Sequence, residues 1–111
     1  MTKGAQRMKV YVAGKVTGLP ESEVLRKFDR SVATLKKDGH TVMSPAVLVL
    51  NEGFGHGDYM HICYAMIDVC DAVYMQKDWQ DSEGARMERE YAAAHKKRII
   101  YEDESTKTTT K

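Results

Sequence analysis

Asp71-Ala72-Val73-Tyr74-Met75 is a short β-rich run. After a brief connection comes Asp81-Ser82-Glu83-Gly84-Ala85-Arg86-Met87-Glu88, which leads into Arg89-Glu90-Tyr91-Ala92-Ala93-Ala94. A strand thus gives way to a glycine-containing turn that opens a helix, with the Glu88 carboxylate one turn in. In an open α/β sheet, ligands bind outside the carboxyl ends of the strands. A helix that starts there offers free backbone N–H groups to an anion, and Glu88 is expected to face the same crevice. A substrate bearing a phosphate or hydroxyls suits such a place, with Glu88 as base or nucleophile.

The same alternation runs through the rest of the chain. Met8-Lys9-Val10-Tyr11-Val12-Ala13 reads as a first strand ending at Gly14. Glu21 to Asp38 reads as a helix, because Val24, Leu25, Phe28, Val32 and Leu35 recur at helical spacing. Gly39 stops it, as glycine commonly does just past a helix. His40 to Ser44 is a short second strand halted by Pro45, and Ala46 to Gly57 is a long connection of the kind that often carries binding residues. Asp58 is a good N-cap for a helix to about Val69. Asp71 to Met75 is the third strand, Glu83 to Lys97 the third helix, and Arg98 to Glu102 the fourth strand. This order predicts a small α/β, Rossmann-like or flavodoxin-like three-layer sandwich, with a parallel sheet of about four to five strands and helices on both faces. Residues 1–7 are expected to be a flexible extension, residues 8–102 a single domain, and residues 103–111 a disordered polar tail.

Composition narrows the function classes. The chain has 111 residues, 17 basic and 16 acidic, for a net charge of +1. That balance gives no general attraction to polymeric nucleic acid or to an anionic membrane, so any anion binding must be local. No apolar run approaches the length of a membrane span. The first seven residues lack the apolar core of a signal peptide, so a cytoplasmic location is expected. Cys63 and Cys70 share one face of a predicted helix about 10 Å apart, too far to bond without backbone movement, and read as reduced, buried thiols.

Several side chains could carry chemistry. Gly14-Lys15-Val16-Thr17-Gly18 follows the first strand directly, where glycines let the backbone approach a ligand and Lys15 and Thr17 can reach an anion. It is neither G-x-G-x-x-G nor a phosphate-binding loop of the GK[ST] type, and a plain strand-to-helix turn would look the same. Tyr11 is either a core tyrosine with a satisfied hydroxyl or a phenol that orients a carboxylate in the crevice. Glu88 lies four residues past Gly84, and the helix dipole alone would also favour an acid near a helix start. His56, Asp58, His61 and Cys63 show no familiar zinc spacing, and no metal or other cofactor is expected. Trp79 either covers the pocket as a stacking platform or simply packs. The seven methionines suit gap-filling in the core.

Together these segments resemble the nucleoside 2-deoxyribosyltransferase superfamily, in particular its small phage and bacterial branch of DUF4406 type. The resemblance rests on Val10-Tyr11-Val12-Ala13-Gly14, Thr17-Gly18-Leu19-Pro20, Gly39-His40-Thr41-Val42 with Pro45, Asp58-Tyr59-Met60, Cys70-Asp71-Ala72-Val73, and Trp79 through Ala92. It implies that Glu88 attacks the anomeric carbon of a 2-deoxyribosyl group or assists its hydrolysis, and that Tyr11 hydrogen-bonds that glutamate. It implies that Ser82, six residues before Glu88, holds a 5′-phosphate with Gly84 behind it, and that Gly14 to Gly18 lines the same site. Catalytic relatives carry a sugar-binding aspartate eight residues before the Asp71 equivalent, where this chain has Cys63. A thiol is a poor replacement for a carboxylate acceptor, and Asp58 and Asp68 are the candidate acids to compensate. The expected activity is cleavage or transfer of an N-glycosidic bond in a nucleoside or nucleoside 5′-monophosphate. The alternatives are a non-catalytic nucleotide-binding module and a purely structural protein. Relatives assemble as dimers or larger rings, which implies a homo-oligomer.

Overall fold

Val10, Tyr11, Val12 and Ala13 are all fully buried, which places β1 (Lys9–Ala13) inside the sheet. In the computed structural model, which describes residues 7–102, β1 is followed by α1 (Glu21–Lys37), β2 (Thr41–Met43), α2 (His56–Asp68), β3 (Ala72–Met75), α3 (Glu83–Ala94) and β4 (Arg98–Tyr101). Residues 1–6 of the expected extension and the tail over 103–111 lie outside the described residues. The four strands pair in parallel in the order β2-β1-β3-β4. This is the flavodoxin-like order, whose topological switch point falls between β1 and β3. The expected three-layer α/β sandwich is found, with four strands.

Strand side chains alternate between faces, and the cores follow that alternation. Val10 and Val12 join Ala72 and Tyr74 of β3 against Val24, Phe28 and Leu35 of α1. Tyr11 and Ala13 join Val73 and Met75 against Cys63 and Ile67 of α2 and Ala85 and Ala92 of α3. All of β3 is buried, as a strand covered by helices on both sides must be. Cys63 and Cys70 are buried free thiols.

Element ends differ from the sequence reading for local reasons. Gly55, not Asp58, is the N-cap of α2. Asp58 sits inside the first turn, where its carboxylate accepts the Gly55 N–H at 2.8 Å. The long connection after β2 contains a 3-10 helix over Pro45–Leu50, begun by Ser44, whose hydroxyl accepts from the Ala46 N–H. The third helix stops at Ala94 because Lys96 takes a left-handed conformation, φ 62°. The Lys97 N–H then returns to the Ala92 carbonyl and the Lys96 N–H to that of Ala93. Gly39 closes α1 with the same motif at φ 93°, where the absence of a Cβ makes that conformation easy.

At the carboxyl end of β1 the chain must turn away from β3. The Gln76 N–H bonds to the Ala13 carbonyl, and the Gln76 side chain is buried just beyond it. A Cβ on Gly14 would stand 2.8 Å from the Gln76 Cδ and closer still to its amide oxygen. Glycine is required here by contact. Gly14→Ala is therefore expected to destabilise the fold by about 1–3 kcal/mol, the usual cost of overpacking a buried site. An unchanged denaturation midpoint for that variant would show that Gln76 simply yields.

Candidate active site

The switch point opens into a cavity of about 650 Å³ at the carboxyl ends of β1 and β3. One wall is the loop Gly14, Lys15, Val16 and Thr17, with Phe28 of α1 behind it. The facing wall is the start of α3, from Asp81 to Ala85, with Glu88 deeper in. His56, Tyr59, Met60 and Cys63 of α2 form a third side, and Pro45, Leu48 and Val49 of the 3-10 helix complete the lining. The Tyr59 hydroxyl lies 3.0 and 2.8 Å from the Leu48 and Asn51 carbonyls, which share its one proton, and this ties that segment to α2.

On α3 the buried positions are Ala85, Glu88 and Ala92. The two alanines let the helix lie close to the sheet, and the acid between them is carried into the interior. Glu88 is only 7% exposed. Its Oε2 accepts a hydrogen bond of 2.9 Å from the hydroxyl of Tyr11, itself fully buried in mid-sheet. Burial pushes the Glu88 carboxyl up to about 7, while Tyr11 and Cys63 beside it act in the opposite direction. Burial, and then the charge of Glu88, hold the Tyr11 hydroxyl well above the ordinary phenol range, so it remains a donor. The same two causes push the Cys63 thiol up to about 12, so Cys63 is a neutral S–H and not a thiolate nucleophile. The centre is therefore one carboxylate, poised near neutrality, flanked by two neutral donors.

Among the residues expected from sequence, Glu88, Tyr11 and Cys63 come together. Glu88, Cys63, Gly14, Lys15, Thr17, Ser82 and Gly84 all line the one cavity. The Ser82 hydroxyl caps α3 by accepting the Ala85 N–H at 3.1 Å, and its proton is left free for another acceptor. Gly84 faces His56 and Met60, each 3.5 Å from where a Cβ would be.

Gly18, Asp58 and Trp79 are not among the lining residues. Gly18 serves the turn, at φ 89°. Asp58 is engaged with its own helix start. Trp79 is partly buried against the core, with the Tyr101 ring 5.8 Å and the Arg89 guanidinium 5.5 Å from its own ring. The packing alternative thus describes Trp79.

Sequence reasoning did not single out Phe28, Leu48, Val49, Tyr59 or Met60 as lining residues. They read as core or connection, and only the tertiary fold brings them to the cavity. His56 was weighed only as a metal ligand. Among the described residues no group of three or more His, Cys, Asp or Glu side chains could hold a metal ion. No helix among them is long and apolar enough to cross a membrane.

The fold is similar to that of a solved 2-desoxiribosyltransferase from Leishmania mexicana, with a TM-score of 0.64 and 22% sequence identity. The alignment covers 84% of this chain and 62% of that one, so the chain spans a little under two thirds of that structure's length. At such identity the likeness speaks for the fold. No curated protein sequence matches the chain. A family profile, "Domain of unknown function (DUF4406)", matches residues 8–101, nearly all of the described chain. The chain belongs to the DUF4406 family.

Proposed function

We propose that this protein cleaves or transfers the N-glycosidic bond of a nucleoside or nucleoside 5′-monophosphate, with Glu88 meeting the anomeric carbon. The observation that carries this reading is the 2.9 Å bond from Tyr11 to a carboxylate buried in the wall of an open cavity. Burying an acid is costly unless it is paired, and an apolar residue between Ala85 and Ala92 would serve packing better. The cavity lies at the switch point where such folds bind ligands, and its size falls in the range of small-molecule sites.

In this mechanism the C1′–N bond breaks with its electron pair leaving on the base, which takes a proton from solvent. The sugar acquires oxocarbenium character, and ionised Glu88 stabilises it or traps it as a glycosyl ester. Water or a second base then attacks C1′ and releases Glu88 as carboxylate. Tyr11 holds Oε2 of the carboxylate, and the Cys63 thiol beside it must give way or share where the sugar meets the carboxylate. Ser82, Gly84 and the Gly14–Thr17 loop surround the end of the cavity suited to a 5′-phosphate. The similar fold is that of a 2-desoxiribosyltransferase, which agrees with this substrate class. A cytoplasmic homo-oligomer acting on a free nucleoside or nucleotide, not on a polymer, is part of the same proposal.

One observation favours a second reading. Cys63, a neutral thiol, stands beside Glu88, at the position where catalytic relatives are expected to place a sugar-binding carboxylate. A module that binds a nucleotide without cleaving it would tolerate that exchange. Release of free base from deoxynucleosides or their 5′-monophosphates, followed by chromatography, separates the two readings. Binding without release supports the module.

Glu88→Gln is expected to lower turnover by on the order of 10³-fold or more while substrate still binds. Full turnover in that variant would reject the assignment. The same substitution should stabilise the fold in alkaline solution. The carboxyl of the folded state is raised from the usual 4.5 to about 7. The neutral form is thus favoured below about 4.5, and stability is lost as pH rises through about 7. Removing the charge should recover up to roughly 3 kcal/mol above that point and nothing below pH 4.5, as read from denaturant unfolding at both extremes.

The pH profile has a definite sign. Since the ionised form reacts, kcat/KM should rise with pH and level off above about 7. Tyr11→Phe removes an interaction that holds the Glu88 carboxyl down, so the midpoint should move to higher pH. A profile flat from pH 5 to 9 would exclude Glu88 as the titrating group.

A further inference from the structure

Beneath the loop wall of the cavity lies a polar network that the proposed chemistry does not use. The Lys27 ammonium, on α1, donates to the Lys15 carbonyl at 2.8 Å and to Gln76 Oε1 at 2.6 Å, and pairs with Asp78 at 3.2 Å. Asp78 accepts the Lys15 N–H at 3.1 Å with its other oxygen. Both backbone polar groups of Lys15 are thus held, one by α1 and one by the connection after β3. Gln76 has its own orientation set. Its amide nitrogen donates to the Lys27 carbonyl and to the Ser31 hydroxyl at 3.0 and 2.9 Å, which leaves Oε1 for Lys27. The Lys27 ammonium also sits 4.7 Å from the centroid of Phe28.

Lys15 and Phe28 line the cavity, whereas Lys27, Gln76 and Asp78 do not; these three border a separate, smaller hollow. Lys27 therefore touches two cavity-lining residues without reaching the cavity itself.

We propose that Lys27 is a positioning residue: with Gln76 and Asp78 it clamps the Lys15 backbone and so fixes the loop wall against which substrate binds. Simple stability does not account for the network. The inward stripe of α1 is apolar at Val24, Phe28 and Leu35, and its one buried polar residue, Ser31, belongs to the network through Gln76. The Lys27–Asp78 pair is only partly buried, at 11% and 28% side-chain exposure, and such a pair commonly adds little stability. Burial in fact makes the Lys27 ammonium easier to deprotonate, against the pull of Asp78. What the network supplies is direction. An apolar contact would not specify the orientation of one peptide unit, whereas two opposed hydrogen bonds do. Gly14 adjoins the same Gln76 side chain, so the loop is pinned at consecutive residues.

The test uses the full chain carrying Lys27→Met, which keeps length and bulk and removes the charge, together with Asp78→Asn and the double variant. Its kinetic arm rests on the function proposed above and uses the four common 2′-deoxynucleoside 5′-monophosphates. In Lys27→Met, KM is expected to rise about tenfold or more while kcat stays within about threefold, because Glu88 and Tyr11 are untouched. Amide exchange at Lys15 to Thr17 should quicken about tenfold, with the β1 amides unchanged. The double variant should be no worse than Lys27→Met alone, since both substitutions break one clamp. An unchanged KM, a fall in kcat alone, additive effects, or exchange that quickens equally in loop and strand would each overturn the proposal. If the unaltered protein turns over none of the four nucleotides, the 5′-monophosphate form of the proposed function falls, and the clamp is then decided by amide exchange alone.

Discussion

A single hydrogen bond, from the Tyr11 hydroxyl to the Glu88 carboxylate at 2.9 Å, organises the cavity end of this molecule. It joins the central strand of the sheet to the helix that follows β3, across a sequence separation of 77 residues. Neither group is at ease where it lies. The phenol is fully buried and the acid nearly so, and each meets part of the other's need for a polar partner. Ala85 and Ala92 bring α3 close enough for the bond to form, and the odd-numbered register of β1 turns Tyr11 toward that helix. A change in the face of β1 or in the bulk of α3 would separate the pair.

The strand order explains why the bond borders a cavity. Leaving β1, the chain crosses to β2 by way of α1 on one face; leaving β3, it crosses to β4 by way of α3 on the other. The two connections diverge, and the space between them is the cavity. Its floor holds the carboxylate, its sides are two helix starts and a loop, and the loop is held from behind by Lys27 and Asp78. A carboxyl raised to about 7 by burial is a liability for the fold above neutrality and an asset for chemistry near it. On the proposed function, stability and chemistry thus pull in opposite directions at one side chain.

The strands and the helices were legible in the sequence because each rests on local pattern, whereas the pairing of Glu88 with Tyr11, 77 residues apart, was implied only by the family resemblance. Strand β1 ends in a glycine, α1 carries an apolar stripe, and the acid follows a glycine-bearing turn. Gly39 marked the end of α1, but Lys96 performs the same duty for α3 without a glycine to announce it, so that helix was expected to run too far. Asp58 was expected at the N-cap because its side chain suits that place, yet a carboxylate two residues into the helix can serve Gly55 as well. For Trp79 the sequence left covering the pocket and packing both open, because the Tyr101 ring and the Arg89 guanidinium that lie 5.8 and 5.5 Å from its ring come from later elements. The cavity walls from Leu48, Val49 and Tyr59, and the contact of Lys27 with Gln76, join residues far apart in the chain. Periodicity and capping rules carry no information about such meetings.

The most direct measurement is a crystal structure of the protein with a bound 2′-deoxynucleoside 5′-monophosphate. The expected result places the anomeric carbon about 3–3.5 Å from one oxygen of Glu88, a near-attack distance. Tyr11 should still bond the other oxygen, and the phosphate should lie between Ser82 and the Lys15 loop. A nucleotide seated elsewhere, or one whose sugar lies out of reach of Glu88, would contradict the central claim.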